Sequence, residues 1–241
     1  MAIALRGTAT TGSTTITAPT GVASGDLLLV VAIAPSGTTI TVPSGWTTLR
    51  NATTSNSSTL RMVVAYQVYS TGSTWTITGA TYNVCCAWSG TDSTTPILTD
   101  AAPSAGGAVS TLATPTVNNT VSGSWRVACW GAAETVFSTM GAWSTFSPTD
   151  TRRGEQHNTQ YAVALTDSNA TISTGNTSVT GTTPASNSNF EAELAWIGII
   201  QPVASTPVSS SDTGSAADAA NVAPKDTDTA AAADTATVTA S

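Results

Sequence analysis

The sequence predicts an all-β fold: a jelly-roll-like antiparallel β-sandwich built from two similar halves and followed by an extended low-complexity tail. Three observations support this prediction. Short runs rich in Thr, Val, Ile, Trp and Tyr alternate with Gly, Pro, Ser and Asn. No window of a dozen residues has a helical period. Finally, Gly25-Asp26-Leu27 is answered by Gly123-Ser124-Trp125, 98 residues later in the chain.

Several runs show the period-2 alternation of a strand. In residues 60–69, Leu60, Met62, Val64, Tyr66 and Val68 share one face, which predicts a half-buried strand. Residues 161–165 and 194–200 repeat this alternation, within a closing strand at 190–201. Further strands are predicted at 3–9, 14–17, 26–34, 38–42, 46–50, 74–78, 109–117, 124–132 and 177–180.

The body covers residues 1–201, and its similar halves cover about 14–92 and 112–201. Trp46 and Trp143 lie 97 residues apart in matching contexts, and each half closes on Ala-Trp, at Trp88 and Trp196. The simplest account is one sandwich to which each half supplies about five strands. Two independent small domains are the alternative.

Residues 202–241 have a different composition. They consist mainly of Ala, Thr, Ser and Asp without any aromatic residue, and Asp-Thr-Gly-Ser-Ala-Ala-Asp at 212–218 is matched at 228–234. Such a segment cannot bury enough apolar surface to offset the entropy of ordering it. We expect an extended acidic linker or tail, with an unstructured terminus without a role as the alternative.

Charge is scarce in this chain. Of 241 residues only 9% are charged, whereas 48 are Thr and 29 are Ser, and the net charge is −7. Six Arg and Lys225 cannot form the basic stripe of a nucleic-acid-binding protein or a polybasic membrane patch. The apolar run at 27–34 is far shorter than the ~20 residues of a membrane span. We expect no nucleic-acid partner and no membrane insertion. Because the first residues lack the pattern of a signal peptide, we expect assembly in a cytoplasm.

The three cysteines lie in strand-like apolar segments. We expect Cys85, Cys86 and Cys129 to be small buried hydrophobes, with a bridge from Cys129 to one of the other two as the alternative. No C-x-x-C pair or second histidine supplies metal ligands. The sequence therefore predicts no metal site and no cofactor.

No catalytic set stands out. The single histidine, His157, lies with Arg152 and Arg153 in the charged stretch 149–158, which we expect to be a solvated interaction loop between strands. No G-x-S-x-G elbow makes a serine specific for catalysis. Glu191 and Glu193 share a strand face and are expected to protect a sheet edge by like charge. We expect a protein without enzymatic activity.

The seven tryptophans are the best candidates for a ligand surface, because an aromatic face packs against the apolar face of a sugar ring. The matched pairs Trp46 with Trp143 and Trp88 with Trp196 are better explained as core. This leaves Trp75 and Trp130 free to bind. The candidate ligand-binding residues, with a host cell-surface glycan as ligand, are Trp75, Trp130, Arg152, Arg153 and His157.

Four phrases carry a resemblance to a known family. They are Gly-Asp-Leu-Leu-Leu-Val at 25–30, Thr-Val-Pro-Ser-Gly-Trp-Thr-Thr-Leu at 41–49, the Tyr-containing strand at 63–69, and Ala-Trp-Ser-Gly-Thr-Asp at 87–92. This order resembles a domain of minor tail or tail-fibre proteins in tailed bacteriophages that infect actinobacteria. The resemblance covers nearly all of residues 10–201. It implies a structural virion role and carries over no catalytic residue, and longer relatives continue past such a linker into another domain.

The expected function is a structural bacteriophage virion protein, in the tail tip or tail fibre, that contributes to attachment to the host surface. Its expected location is the virion, and its expected partners are other virion proteins and further copies of itself. A capsid decoration or head-fibre protein is one alternative. A carbohydrate-binding module without catalysis is the other.

Overall fold

The computed structural model of the chain describes residues 1–54, 60–106, 109–134, 140–184 and 190–204. The segments between these ranges and the side chains of Phe190 and Glu191 lie outside the described residues. So does the expected tail at 202–241 from residue 205 onward.

Seven strands from residues 4–89 build the first half. Five of them form an antiparallel sheet, sheet I, in the order β1-β7-β3-β5-β4, and the short strands β2 and β6 pair with each other. The strands are β1 (Ala4–Gly12), β2 (Thr15–Thr17), β3 (Leu27–Ala34), β4 (Thr47–Thr53), β5 (Arg61–Val68), β6 (Thr74–Thr76) and β7 (Tyr82–Ser89).

The second half repeats this arrangement. Sheet II has the order β8-β18-β12-β15-β14, with β9 also paired to β18, and two small sheets have the orders β10-β17-β13 and β11-β16. The strands are β8 (Ile97–Asp100), β9 (Ser104–Gly106), β10 (Thr111–Ala113), β11 (Val117–Asn119), β12 (Trp125–Glu134), β13 (Ser144–Ser147), β14 (Thr151–His157), β15 (Tyr161–Asp167), β16 (Gly175–Thr177), β17 (Thr180–Thr182) and β18 (Phe190–Ile200).

The all-β sandwich of two similar halves is therefore confirmed. The central strands have matching neighbours in the two halves. In sheet I β3 lies between β7 and β5, and in sheet II β12 lies between β18 and β15. The halves do not exchange strands between the large sheets. Each half also includes an edge strand, β1 or β8, that precedes the starts expected at 14 and 112.

The main core lies between the two sheets. Leu27, Leu29, Val31 and Ile33 of β3 belong to the same buried cluster as residues of β12, β15 and β18. The sheets approach closely at Gly131, where a Cβ atom would lie 3.0 Å from both Ile33 Cγ2 and Met62 Cε. This contact fixes the two sheets face to face.

A covering layer buries the outer face of each sheet. Over sheet I the cover includes Ile16, Ile40, Trp46 and Ile77. Over sheet II it includes Leu112, Val117, Met140, Trp143 and Val179. Because β3 is buried on both faces, it is apolar throughout rather than alternating. The same cover buries Val63 and Ala65 of β5, which alternation alone placed on an exposed face.

Three predicted strands differ from the structure. Residues 38–42 form only an isolated bridge, Thr41 with Thr78, because this segment crosses over sheet I as cover. Residues 109–117 contain two short strands, β10 and β11, which pair in different small sheets. Residues 177–180 join the end of β16 to the start of β17 and are not one strand. In all three segments the Thr and Val residues are typical of a strand, yet the chain serves as covering layer.

The edge strands β1, β4, β8 and β14 each have an irregular register with their neighbour, whereas β9, which pairs with β18 on the same side as β8, has a regular one. Bulges bend an edge strand and interrupt its row of free backbone groups, which hinders pairing with another chain. The bulges also turn side chains inward. Arg50 of β4 donates to Asp100 Oδ2 at 2.7 Å, and Trp196 Nε1 donates to the same oxygen at 2.9 Å.

The cysteine prediction is confirmed. Cys85, Cys86 and Cys129 are free and fully buried. Cys86 and Cys129 lie in the core between the sheets, whereas Cys85 faces the cover of sheet I. Burial raises the pKa of all three thiols.

Candidate functional site

The charged stretch expected to be a solvated loop is in fact the edge strand β14. Residues Thr151–His157 pair antiparallel with β15 of sheet II. The expectation was wrong because this stretch has no apolar residue to reveal a period of two. Its burial comes instead from the residues that pack around it.

A bulge sends the two neighbouring arginines in opposite directions. Arg152 pairs with Thr166 and Gly154 with Leu165, so Arg153 is the extra residue. Bulges commonly re-aim a side chain in this way. Arg152 is left on the outer face of sheet II, and Arg153 turns toward the core.

Arg153 is a structural residue. Its side chain is only 13% exposed, and its Nε donates to Asp167 Oδ1 at 2.9 Å. Asp167 is fully buried and also accepts the indole N–H of Trp88 from sheet I, at 2.9 Å. The expectation that Arg153 lies on a ligand surface is therefore wrong, because its guanidinium is paired with the buried carboxylate that connects sheet II to Trp88 of sheet I.

Arg152, Glu155 and His157 lie together on the outer face of β14. Arg152 Nη1 donates to the carbonyl oxygen of Trp143 at 2.7 Å and forms an ion pair with Glu155. His157 Nδ1 lies 2.9 Å from the carbonyl oxygen of Met140. Burial raises the pKa of Glu155, although the charges of Arg152 and His157 oppose this shift. The backbone of residues 140–143 is thus tied to β14 at two points.

A cleft of about 470 Å³ opens beside this network. We call it the Arg152 cleft, and its lining consists of Trp143, Ser144, Thr145, Phe146, Thr149, Asp150 and Arg152. Asp150 is buried and paired with Arg126, and Thr166 Oγ1 lies 3.5 Å from its Oδ2. Burial raises the pKa of Asp150, with Arg126 acting in the opposite direction.

Trp130 does not line this cleft. It is fully buried, with ring centroids 5.3 Å from Trp143 and 5.4 Å from Phe146, and its Nε1 donates to Thr166. The expectation that Trp130 is free to stack on a ligand is wrong. The cover formed by β13 and β17 closes over the outer face of β12, and the sequence of β12 gave no sign of that layer.

Trp75 lies in the cover of the other sheet. It is half-buried, with its ring centroid 5.5 Å from Trp46 and 6.4 Å from Tyr69. It therefore shares no site with Arg152 or His157. Of the five candidate residues, only Arg152 and His157 are brought together by the fold.

Glu193 does not lie at a sheet edge, where the sequence predicts it. Its strand, β18, pairs with β12 on one side and with β8 and β9 on the other, so it is not an edge. Glu193 is fully buried, and neither carboxylate oxygen has a hydrogen-bond partner. Burial raises the pKa of Glu193 to about 7. The side chain of Glu191 lies outside the described residues.

A larger cleft, of about 690 Å³, adjoins residues 201–204. Its one charged lining residue is Asp92, whose Oδ1 already accepts the backbone N–H groups of Thr94 and Thr95 at 2.7 and 2.9 Å. These two bonds, that of Thr95 foremost, lower the pKa of Asp92. The Arg152 cleft is the stronger candidate because it combines an exposed guanidinium, hydroxyl groups and an aromatic ring.

Sequence reasoning found Arg152 but missed Phe146 and Glu155. Arg152 and Glu155 have opposite charges and lie three residues apart, so the sequence could have indicated their pairing. No feature of the sequence indicates that Phe146 lines a cleft. Within the described residues, no three His, Cys, Asp or Glu side chains are grouped to hold a metal ion. The described part of the chain also contains no helix long and apolar enough to cross a membrane.

Comparisons with protein-family models, with curated proteins and with solved structures gave no match to this chain. The resemblance to minor tail proteins therefore rests on the four phrases at 25–30, 41–49, 63–69 and 87–92. Function has to be inferred from these phrases and from the contacts that their residues make.

Proposed function

We propose that this chain is a structural protein of a tailed-bacteriophage virion, located in the tail tip or tail fibre, that contributes to attachment to the host surface. It acts without catalysis, in a homo-oligomer and beside other virion proteins.

One observation carries the proposal: two polar residues within the resembling phrases, Asp26 and Trp88, make contacts that build the sandwich. Asp26 accepts the backbone N–H of Ala23 at 2.8 Å and the Nε of Arg6 at 3.1 Å. Trp88 donates to buried Asp167. These contacts give Asp26 and Trp88 a structural role. A structural role for these residues is what the family resemblance implies.

The irregular registers of the edge strands give further support. An outer virion protein spends its working life at high local concentration beside copies of itself. Irregular registers at the edge strands β1, β4, β8 and β14 hinder edge-to-edge aggregation under such conditions.

The test is mass spectrometry of purified virions of the phage that encodes the chain, followed by antibody labelling in electron micrographs. We expect the polypeptide in the particle, in tens of copies, with label at the tail end. Hundreds of copies and label on the head would favour a capsid decoration protein instead. Absence of the polypeptide from the particles would refute a virion role altogether.

A further inference from the structure

We propose that the Arg152 cleft binds one ring of an uncharged, hydroxyl-rich glycan. This inference deepens the proposed attachment function, on which it rests, by naming the site and the ligand class. The volume of about 470 Å³ lies within the roughly 300–1,000 Å³ typical of small-ligand sites.

The charges around the cleft balance. Arg152 is paired with Glu155, and Asp150 is paired with Arg126. A phosphate or carboxylate ligand would have to compete with Glu155 for the Arg152 guanidinium. A neutral ligand does not compete, because it accepts hydrogen bonds from the guanidinium while the ion pair stays in place. This charge balance favours an uncharged ligand.

The polar groups of the cleft suit a polyol. Ser144, Thr145 and Thr149 are exposed, and each hydroxyl both donates and accepts hydrogen bonds. The side chain of Arg152 is 42% exposed and has five N–H donors, of which its partners Trp143 and Glu155 use only a part. Sugar hydroxyls match such a mixed set of donors and acceptors.

Phe146 supplies the apolar side of the cleft. It is half-buried against Gly181, where a Cβ atom would lie 3.1 Å from Phe146 Cε1 and 3.0 Å from Trp130 Cζ3. The missing side chain at position 181 therefore leaves room for the rings of Phe146 and Trp130. An aromatic ring beside hydroxyl groups fits a sugar ring, which has an apolar face and polar edges.

The backbone at the cleft is strained. Thr145 has φ of +47°, a conformation that is unfavourable for a β-branched residue, and it is the extra residue of a bulge between β13 and β17. Strain of this kind is found where surrounding contacts hold a functional segment in place. Here the bond from Arg152 to the Trp143 carbonyl holds the segment from the other side of the cleft.

The test is a glycan array with neutral and acidic oligosaccharides, probed with the full chain and with three variants. Arg152→Ala removes the guanidinium, and Thr149→Trp blocks the cleft from an exposed position without removing a buried contact. Arg6→Ala is the matched control, since Arg6 is also 42% exposed and also paired with a carboxylate, but lies on β1 of sheet I. Thermal unfolding verifies that every variant is folded.

We expect the full chain and the control to bind at least one neutral glycan, and both cleft variants to bind at least about tenfold more weakly. Three outcomes would overturn the inference: no neutral glycan bound by the full chain, equal binding by the cleft variants, or a preference for acidic glycans. None of them affects the virion role, which mass spectrometry of the particles decides separately.

Discussion

Residues 1–92 and 93–201 build sheets with the same strand order, yet their chemistry differs. The first stretch contains five charged residues, and the second contains ten together with the only histidine. The charged residues of the first stretch are Arg6, Asp26, Arg50, Arg61 and Asp92. Among the described residues, the second half also buries more of its charge: Arg126, Glu134, Asp150, Asp167 and Glu193 are buried there, whereas Asp26 is the one buried charged residue of the first half.

The covering layers show this contrast in detail. Trp46 and Trp143 occupy matching places, both are buried, and both indole N–H groups lack an acceptor. Trp46 packs against Trp75, which in turn packs against Tyr69. Around Trp143 the cover opens into the Arg152 cleft, beside the buried pair of Arg126 and Asp150. The cover of sheet II thus lies beside charged side chains, whereas the neighbours of Trp46 in the cover of sheet I are aromatic.

The largest expected effect comes from breaking the buried ion pair of the second half. Arg126→Ala leaves Asp150 buried without its cation, which should cost about 3–5 kcal/mol of unfolding free energy. Arg6→Ala in the first half removes a partly exposed arginine from Asp26, which keeps its bond from the Ala23 N–H, and should cost less, about 1 kcal/mol. Urea unfolding measures both. Equal losses in the two variants would contradict the contrast between the halves.

The next effect concerns Glu193 and depends on pH. Its carboxyl group has a pKa of about 7 when folded, against 4.5 for the ordinary group. Between these values the folded chain holds a proton that the unfolded chain has released, so stability falls as pH rises from about 4.5 to 7. Glu193→Gln should remove this fall and add on the order of 3 kcal/mol above pH 7, with no gain near pH 4.

The measurement is urea unfolding of Glu193→Gln at pH 4 and pH 8. Asp92→Asn is the control, because the pKa of Asp92 is lowered by two backbone hydrogen bonds and its ionised form therefore stabilises the fold. The control should lose stability at pH 8, where Glu193→Gln gains it. A gain that is the same at both pH values would show that Glu193 does not titrate as the structure indicates.

The smallest effect compares the two tryptophans that donate to aspartates. Trp88→Phe and Trp196→Phe each remove an indole N–H from a carboxylate, at a cost of roughly 1–3 kcal/mol. The loss should be larger for Trp88, because Asp167 is fully buried whereas the side chain of Asp100 is 17% exposed. Thermal unfolding of both variants gives the comparison, and a larger loss for Trp196→Phe would reverse it.

Much of the fold could be predicted from the sequence. The apolar run of β3, the alternation in β5 and β15, and the matched pairs of tryptophans all reflect local chemistry that is repeated along the chain. Trp88 and Trp196 lie between the sheets, and Trp46 and Trp143 lie in the two covers, as their equivalence indicates.

The site was less predictable, because it depends on contacts between distant segments. Alternation put Trp130 on the face opposite Trp125, which is correct, but it could not show that β13 and β17 cover that face. The bulge that separates Arg152 from Arg153 is a property of pairing with β15. Glu193 was misjudged because the neighbours of β18 come from segments about 60 to 90 residues away.

Each large sheet is made from one uninterrupted stretch of chain, residues 4–89 for sheet I and 97–200 for sheet II. On the ribosome, all residues of sheet I are therefore synthesised before those of β8, and they leave the exit tunnel first. The inner face of sheet I, with Leu27, Leu29 and Val31, then stays in water until sheet II has been made, on the order of ten seconds at roughly 5–20 residues per second. The nascent chain thus passes through a stage in which a finished apolar surface waits for its partner, and a chaperone that binds apolar segments has its target there.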